Sequence, residues 1–543
     1  MEQHRSGLTP ARLRRAGLAA GPIAFLGIFF VWPVSTLLFR GLVDHQSAIT
    51  DVISSASIRG AAWFTLWQAL VSTLLTLVIA MPLAAVVANV EFRGRRLVMA
   101  LVTIPFVLPT VVVAGAFLAT SDRTGLDSGP FSLSKSVFAI IVAHVFFNVA
   151  VIVRTVGGYW SQLSRTDEQA ARTLGTSASM TFLRITVRRL QPSLLAATSI
   201  VFLFSFTSFG VILILGGARQ RTIETEIYRY AISRTDFATA SVLSVVQLVV
   251  VVILVALNTR LRARLPRSDR LAADRPQAWR NRSTAFIPIG TVLITLALLC
   301  IPIAVLIEQS LRTGGGWGFD HYRSLTERPP FLTVTPLRAL MNSLGFATVA
   351  TAIAVFFGGW ASLAITYSSR GVSRLLDVGY LLPLGTSAVT LGFGILITFD
   401  TGIVDLRQSW IIIPLVQALI GIPFVTRAVV PVLRAIDPNL RDAAASMGAS
   451  PAKIRRDIDL PIARRALVVG GGFAFAISLG EFGATSFVGR RPDLMTVPLA
   501  IARLLSQPGQ SIRGQAMALS VILMVVTAVV LLAVDRTDSA ATI

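Results

Sequence analysis

The chain has few charged residues, and acidic residues are the scarcer kind. Of its 543 residues, 54% are hydrophobic and 14% are charged, whereas soluble proteins average about 25% charged residues. The net charge of +22 comes from 49 basic and 27 acidic residues. This composition excludes an ordinary soluble domain and indicates an integral membrane protein, whatever number of soluble domains the length alone would suggest.

Lysine, cysteine and histidine are also scarce, and each scarcity excludes a kind of site. The two lysines, Lys135 and Lys453, follow Ser134 and Ala452, so the Gly-Lys-Ser/Thr string of a phosphate-binding loop is missing and no ATPase activity is expected of this chain. Cys300, the single cysteine, can form no intramolecular disulfide. No His-x-x-x-His or Cys-x-x-Cys spacing occurs, so neither a metal site nor a bound cofactor is predicted; the scattered histidines are His4, His45, His144 and His321.

Long apolar runs are what the chain has in abundance. Crossing about 30 Å of hydrocarbon takes about 20 apolar residues in a helix. The first run is too long for a signal-peptide core and is read as an uncleaved membrane helix. Twelve runs predict an all-α membrane protein with twelve spans, near residues 18–40, 62–90, 97–120, 136–157, 193–216, 239–259, 285–308, 340–366, 375–398, 410–434, 465–488 and 513–534.

The basic residues cluster on alternate connections between these runs. An excess of arginine marks the cytoplasmic loops of membrane proteins, so both termini are predicted to be cytoplasmic, and nucleic acid is not an expected partner. The longer, mixed-charge connections on the other side are candidates for contact with an extracytoplasmic partner. The cytoplasmic clusters are Arg93, Arg95 and Arg96, the 158–192 loop, the 260–284 segment, Arg370 and Arg374, and the 435–464 loop.

An internal duplication organises the chain. The stretch from Arg154 to Gly210 recurs without a gap from Arg427 to Gly483. Six spans per half is an even number, so the two halves enter the membrane in parallel, with a pseudo-twofold axis along the membrane normal and a pathway at their interface. The shared residues include Ala170-Ala171 and Ala443-Ala444, Gly175 and Gly448, Ser177 and Ser450, and the Phe209-Gly210 and Phe482-Gly483 pairs.

The duplication gives the predicted domain boundaries. They are a cytoplasmic tail at 1–16, a first half at 17–259, a basic cytoplasmic linker at 260–284, a second half at 285–534 and a tail at 535–543. The linker is polar and rich in arginine, which suits a tether between the halves. Its charge would also attract anionic headgroups, so membrane lipid is an expected partner.

The second polar loop predicts a helical hairpin on the cytoplasmic surface. Asp437 and Pro438 begin a short helix, Gly448 ends it in the left-handed conformation, and Ser450-Pro451 begins a second helix that is expected to stop near Leu460-Pro461. The first loop repeats this pattern around Gly175. It is predicted to be capped more weakly, because no proline follows Ser177.

The second loop resembles the EAA loop of permease subunits of binding-protein-dependent ABC importers. The shared pattern is an acidic residue followed by Ala-Ala, three further residues, a Gly and a later Leu-Pro. The resemblance implies a type I importer fold in which each hairpin couples to an ATPase subunit. It further implies two copies of that subunit, with ATP and Mg²⁺ bound there, and an extracytoplasmic solute-binding protein. The matching positions are Asp442, Ala443, Ala444, Gly448, Leu460 and Pro461 in the second half and Gln169, Ala170, Ala171 and Gly175 in the first.

The resemblance narrows further around the second copy of the Phe-Gly pair. The strings Ser478 to Thr485, Thr496 to Ile501, Phe206 to Gly210 and Thr222 to Glu224 are similar to the fused, double-length permeases of thiamine and ferric-iron importers. This implies a transport subunit in the plasma membrane of a prokaryote that moves a small solute inward by alternating access, with either thiamine or ferric iron as the cargo.

Glu481 is an acidic residue inside an apolar run, and two roles are open for it. An intramembrane carboxylate is expensive and should face the bundle interior, water or a partner. It either lines the pathway and favours a cationic solute, or it braces the backbone around Gly480 and Gly483. The pathway candidates are Ser208, Phe209, Glu481 and Phe482.

Two other functions compete with the importer permease. A 6+6 secondary transporter driven by an ion gradient also has parallel halves, and Arg93-Gly94-Arg95-Arg96 is similar to the basic loop of that superfamily. That loop lacks the expected Asp, and such transporters carry no Ala-Ala-x-x-x-Gly hairpin. A membrane-embedded enzyme or scaffold would need a cluster of reactive or metal-binding residues that the sequence does not contain.

Overall fold

The computed structural model of the chain describes residues 10–44, 46–164, 166–263, 277–278, 286–314, 316–399, 406, 408–488 and 491–539. Residues 1–9 and 540–543 of the predicted tails and most of the predicted linker at 260–284 lie outside these residues. In the first half the helices are α1 (Gly17–Val43, helical from Pro10), α2 (Gln46–Ser54), α3 (Ala56–Asn89), α4 (Arg95–Val107), α5 (Thr110–Thr124), α6 (Val137–Trp160), α7 (Thr166–Thr173), α8 (Ala178–Phe206), α9 (Gly210–Leu215), α10 (Ile223–Tyr228) and α11 (Phe237–Ala263).

The second half repeats this order, and two pairs of very short strands accompany the helices. Strand β1 (Val90–Glu91) pairs in parallel with β2 (Gln277–Ala278), and β3 (Arg312–Thr313) pairs antiparallel with β4 (Gly316–Trp317). The helices are α12 (Phe286–Leu311), α13 (Asp320–Arg323), α14 (Pro336–Tyr367), α15 (Arg370–Gly385), α16 (Ala388–Thr398), α17 (Ile412–Ala435), α18 (Pro438–Ser446), α19 (Pro451–Gly480), α20 (Thr485–Val488), α21 (Val497–Leu505) and α22 (Gln510–Ser539).

The described residues contain ten helices long and apolar enough to cross a membrane, and two bent helix pairs bring the number to twelve if each pair is one span. The predicted runs at 97–120 and 375–398 are therefore not straight helices. Helices α4 and α5 meet at 102°, and α15 and α16 meet at 103°. Pro109 has no N–H to continue the first helix, and the Ser387 hydroxyl caps the N–H groups of Val389 and Thr390 to start a new one.

The predicted spans at 193–216 and 465–488 are also broken, in this case near their far ends. Helix α8 ends at Phe206 and α19 ends at Gly480. The chain then turns through residues 207–209 and 481–484 before the short helices α9 and α20 begin. Each half thus contains two interrupted spans at matching positions. The polar residues in the breaks, such as Thr207-Ser208 and Thr386-Ser387, are too few to divide the apolar runs around them in a hydropathy profile.

One pair of hydrogen bonds shows that the duplication extends to atomic detail. In the first half the Ile223 N–H donates to Thr65 Oγ1 at 3.0 Å. In the second half the Val497 N–H donates to Ser343 Oγ at 2.8 Å. In both cases a hydroxyl on the long helix α3 or α14 binds the first N–H of a short helix that follows the interrupted span.

The first span of each half packs against the other half. Trp360 Nε1 donates to the Leu18 carbonyl at 2.7 Å, and the Phe25 ring stacks on Phe357 at 4.2 Å, so α1 lies against α14. Reciprocally, α12 packs against α3, α4 and α5, and Arg123 on α5 is paired with Glu308 on α12 at 3.1 Å. The predicted domains 17–259 and 285–534 therefore divide the chain in sequence only. In space, the first helix of each half packs against the other half.

The close packing of α19 on α17 can be tested by substituting Gly470. A Cβ added at Gly470 would lie 2.7 Å from the Val425 Cα, a backbone atom that no rotamer change moves aside. We expect Gly470→Ala to destabilise the protein by about 1–3 kcal/mol, seen as a lower melting temperature of the detergent-purified chain. Gly345→Ala on α14, where nothing lies within 4 Å, is the matched control and should be neutral or slightly stabilising. Equal melting temperatures for the two variants would contradict this close packing.

Candidate functional site: two coupling hairpins and the seam between the halves

The two hairpins have nearly the same turn geometry. Gly175 and Gly448 adopt φ angles of +85° and +83°, the left-handed conformation that glycine takes without strain. The Thr176 N–H donates to the Ala171 carbonyl and the Ala449 N–H to the Ala444 carbonyl, each at 3.0 Å. These bonds close a Schellman-type helix end in both halves. The sequence prediction of a helix, a left-handed glycine and a second helix describes both turns correctly.

The end predicted for the second helix of the hairpin is wrong. Helix α19 does not stop near Leu460-Pro461 but runs from Pro451 into the membrane as far as Gly480. A π-helical turn at Arg455–Asp459 precedes Pro461, and a proline just after such a turn stands at the start of a new hydrogen-bonding segment, where no N–H is needed. The first half has the same π-turn at Phe182–Thr186. Each hairpin is therefore joined rigidly to a span.

The predicted difference in capping is not seen in the two serine caps. The Ser177 hydroxyl accepts from the Met180 N–H at 3.3 Å, and the Ser450 hydroxyl accepts from the Lys453 N–H at the same distance. A serine cap alone is enough to start the helix in the first half. Weaker capping therefore gives no reason for the two turns to differ in function.

A buried ionic cluster, which we call the second-half clamp, ties α18 to the base of α19. Arg441 Nε donates to Asp459 Oδ1 at 2.9 Å, and the same guanidinium donates to the Leu433 carbonyl at 2.8 Å. The Tyr367 hydroxyl donates to the other Asp459 oxygen. Asp459 is fully buried, so the clamp fixes the hairpin to α14, α17 and α19 together.

The first half has a clamp at the same register positions but with different chemistry. Glu168 stands where the second half has Arg441, and Thr186 stands where it has Asp459. The Thr186 hydroxyl donates to Glu168 Oε1 at 2.5 Å, and Arg189 is paired with Asp167 at 3.1 Å. The sequence analysis missed both clamps, although the register of the duplication was the signal that pairs their positions.

The residues matched to the coupling loop mostly face solvent, and each turn also presents a large apolar side chain. Leu174 is 85% exposed and Met447 is 82% exposed, each immediately before the left-handed glycine. Ala171 and Ala444 are half-buried against the hairpin. The exposed members of the matched set are Gln169, Ala170, Gly175, Asp442, Ala443, Gly448, Leu460 and Pro461.

The halves meet at a line of aromatic rings, which we call the seam. Phe209 of the first half stacks on Phe482 of the second with ring centroids 5.3 Å apart. The Phe209 ring also contacts Tyr228 at 5.3 Å, and Tyr228 meets Phe487 edge-on at 5.6 Å. The three phenylalanines are buried. Two predicted pathway residues, Phe209 and Phe482, thus touch each other across the boundary, while Ser208 is half-buried beside them.

The four interrupted spans converge on this seam. An added Cβ at Gly480 would lie 3.1 Å from Pro109 Cγ, which belongs to the α4–α5 break. At Gly210 it would lie 2.4 Å from Thr110 Oγ1, and at Gly483 it would lie 3.0 Å from Ala388 Cβ. Only glycine allows the backbones to approach this closely.

The Glu481 carboxylate caps the short helix α20. Its two oxygens accept from the N–H groups of Ala484 at 2.7 Å and Thr485 at 2.9 Å. This is the bracing arrangement that the sequence left open as one of two roles. The side chain is buried at the seam, and its role in a pathway stays a prediction.

A second buried carboxylate, Glu224, was not selected from the sequence as a site residue. Gln247 Nε2 donates to one of its oxygens at 2.5 Å, and the Ser387 hydroxyl donates to the other at 2.7 Å. Glu224 has no exposed surface, and no arginine, lysine or histidine is paired with it among the described residues. Because Ser387 belongs to the α15–α16 break, this bond joins the first half to the second.

Two parallel helical repeats, each with a hairpin on one face and an interrupted span at a common seam, define a duplicated membrane permease. Residues 80–265 and 293–541 each match the model of the binding-protein-dependent transport system inner membrane component. The chain belongs to this family, with two copies of its domain fused in one multi-pass inner membrane protein of type I ABC permease fold. The resemblance drawn from the sequence is thereby confirmed.

Individual relatives agree with a fused permease. The thiamine transport system permease protein ThiP of Brucella abortus (strain 2308) is 26% identical over 487 residues, which cover 88% of this chain and 87% of that protein. ThiP of Escherichia coli (strain K12) is 25% identical over 80% of this chain and 81% of its own length. The probable sulfate transport system permease protein cysT of Nephroselmis olivacea is 29% identical and matches only 44% of this chain, with 86% of its own length.

The second-half clamp predicts a local loss of stability when Asp459 is changed. We expect Asp459→Asn to weaken the attachment of α18, because Arg441 loses its buried counter-charge; removing one partner of such a pair costs about 3 kcal/mol. Amide hydrogen exchange in Pro438–Ser446 should become at least tenfold faster. The control is Asp457→Asn, since Asp457 is exposed and pairs only with the adjacent Arg456. Unchanged exchange in the Asp459 variant would mean that the clamp does not hold the hairpin.

Proposed function

We propose that this chain is the complete membrane passage of an ATP-driven thiamine importer. ATP and Mg²⁺ would bind to two copies of a separate cytoplasmic ATPase subunit, and a solute-binding protein would deliver the solute on the opposite face. This proposal rests on the pair of matched hairpins on one face. The two hairpins present the same turn, so each would bind one of two identical ATPase subunits.

The hairpin tips support docking of an ATPase subunit. Leu174 and Met447 project from rigid turns, and an apolar side chain of this size gains about 1.5–3 kcal/mol when a partner removes it from water. The clamps behind the tips then make hairpin and span move as one body. Closure of the two ATPase copies would thus be transmitted directly to α8 and α19.

Alternating access follows from the packing at the seam. The Phe209–Phe482 stack and the Glu224–Ser387 bond join the halves across their boundary, so rotation of one half against the other would separate both contacts and open the passage. Such rigid-body rotation is a common form of switching between two states. In this proposal the stacked rings close the passage to solute until the halves rotate.

Thiamine suits the seam better than ferric iron does. Thiamine is an aromatic cation, and the seam offers ring faces for stacking and cation–π contact together with the Glu224 carboxylate. A ferric ion would need several hard oxygen ligands, and the described residues contain no group of three or more His, Cys, Asp and Glu side chains placed to hold a metal. The ThiP relatives carry thiamine transport in their names, which supports the same choice.

The proposed orientation puts the hairpins and both termini in the cytoplasm. The arginine-rich connections, including Arg93, Arg95, Arg370 and Arg374, lie on the hairpin side by chain order, as the positive-inside rule expects. The family membership favours an importer permease over the 6+6 secondary transporter that the sequence left as the alternative.

The hairpin tips provide the first test of ATPase docking. We expect Leu174→Ser and Met447→Ser each to weaken binding of the ATPase subunit about tenfold or more, because each removes one apolar side chain from the interface. The measurement is co-purification of the ATPase subunit in mild detergent, with transport-coupled ATP hydrolysis as a second readout.

Trp317 provides the matched control, since it is 74% exposed but lies beyond α12, on the face away from the hairpins. Trp317→Ser should leave ATPase binding unchanged. Ion-gradient-driven uptake of thiamine by this chain without an ATPase subunit would refute the proposed function, as would full ATPase binding in the Leu174/Met447 double variant.

The buried carboxylate at the seam provides a test of cation recognition. Glu224→Gln keeps the shape and can still accept from Ser387, but it can no longer carry a negative charge beside a bound cation. Because a hydrogen bond or contact to a charged group is worth about 1.5–3 kcal/mol, we expect the KM for thiamine uptake in reconstituted vesicles to rise about tenfold, with basal ATP hydrolysis unchanged. Glu327→Gln, at an exposed carboxylate, is the control. An unaltered KM in the Glu224 variant would remove Glu224 from the passage.

A further inference from the structure

An exposed surface of α19 carries a basic cavity that is separate from the hairpin tips and from the seam. This open cavity of about 800 Å³ lies near the hairpin end of the helix. Its wall contains three arginines, Arg456, Arg464 and Arg465, beside the apolar Leu460 and Pro461. Arg464 is about 24 Å along the helix from Gly480 at the seam, so the cavity lies toward the hairpin end of the span.

An apolar cavity adjoins the basic one. It has a volume of about 440 Å³ and lies between α14, α19 and α22, where Val355, Val468 and Val530 contribute to its wall. Arg464 and Leu467 line both cavities. The two cavities therefore adjoin along α19, and we call them together the groove, which is charged at the hairpin end and apolar further along the helix.

The described residues neutralise only part of the charge at the basic end. Arg456 Nε donates to Asp457 Oδ1 at 2.8 Å, so this arginine has a counter-charge. Arg464 and Arg465 are exposed and have no carboxylate or hydrogen-bond acceptor among the described residues. Two uncompensated guanidinium groups remain, and guanidinium binds phosphate oxygens in a bidentate manner.

We propose that this groove binds one anionic glycerophospholipid, with its phosphate at Arg464 and Arg465 and an acyl chain along Val468 in the apolar cavity. A lipid with a cationic headgroup fits less well, because its ammonium group would face the same arginines. The duplication provides an internal comparison, since the corresponding positions in the first half carry Gln191 and Pro192. The groove is therefore a single site in the second half.

The test is native mass spectrometry of the full-length chain, delipidated and titrated with phosphatidylglycerol or phosphatidylcholine. A basic side chain near an anionic headgroup contributes about a fivefold change in affinity. Arg464→Gln/Arg465→Gln should therefore bind phosphatidylglycerol roughly 25-fold more weakly than the wild type. The control, Arg370→Gln/Arg374→Gln, removes two exposed positive charges from the same face outside the groove and should bind as the wild type does.

A second variant separates lipid from a free phosphate group. Val468 is 54% exposed, so Val468→Trp fills the apolar cavity without disturbing the core and leaves both arginines in place. We expect it to lose phosphatidylglycerol as well. The proposal is overturned if phosphatidylcholine binds the wild type as tightly as phosphatidylglycerol does. It is equally overturned if both variants retain wild-type binding, or if Val468→Trp retains it and glycerol 3-phosphate competes for the site.

Discussion

Within hydrocarbon every backbone N–H and C=O needs a partner inside the protein, and the interior of this permease is arranged around that requirement. Four spans are interrupted, and each interruption leaves N–H groups without a helical partner. The chain meets the requirement with side chains: Ser387 and Glu481 cap the helices that follow two of the breaks. All four breaks also converge at the seam, where protein and not lipid surrounds them. The breaks in the spans are thus located where the two halves meet.

The two copies of the duplicated segment share their backbone geometry but differ in the side chains that stabilise it. Both hairpins turn on a left-handed glycine, both pass through a π-turn, and both are tied to the base of their span at the same two register positions. The second half uses a buried arginine and aspartate there, and the first uses a glutamate and a threonine. The same division recurs at the seam, where Glu481 caps its helix while the half-buried Ser208 stands at the matching position. The two halves therefore place their hairpins and breaks alike but stabilise them with side chains of different charge.

The sequence predicted those features that depend on local chemistry or on the repeat. Composition indicated the membrane class, the long apolar runs indicated the number of spans, and Gly175 and Gly448 indicated the hairpin turns. Prediction from the sequence failed where one local pattern is compatible with two different structures. Pro461 ends a helix in one context, but after a π-turn it starts the next hydrogen-bonding segment. Glu481 is equally suited to a passage or a cap until the position of the Ala484 N–H is known. The bends at Pro109 and Ser387 and the placement of Glu224 beside Ser387 depend on contacts between distant parts of the chain, which a hydropathy profile does not contain.

The exchange of first spans has a consequence for the unit that folds. Since α1 lies against α14 and α12 lies against α3, α4 and α5, neither half on its own has a complete surface: each would expose a groove for a helix that it does not possess and carry a first helix that lacks part of its packing partners. Insertion of the first six spans therefore leaves an unfinished bundle in the bilayer until α12 and α14 follow. Because the second half is covalently linked to the first, the missing helices are supplied by the same chain. Assembly therefore does not depend on the concentration of a second subunit in the membrane.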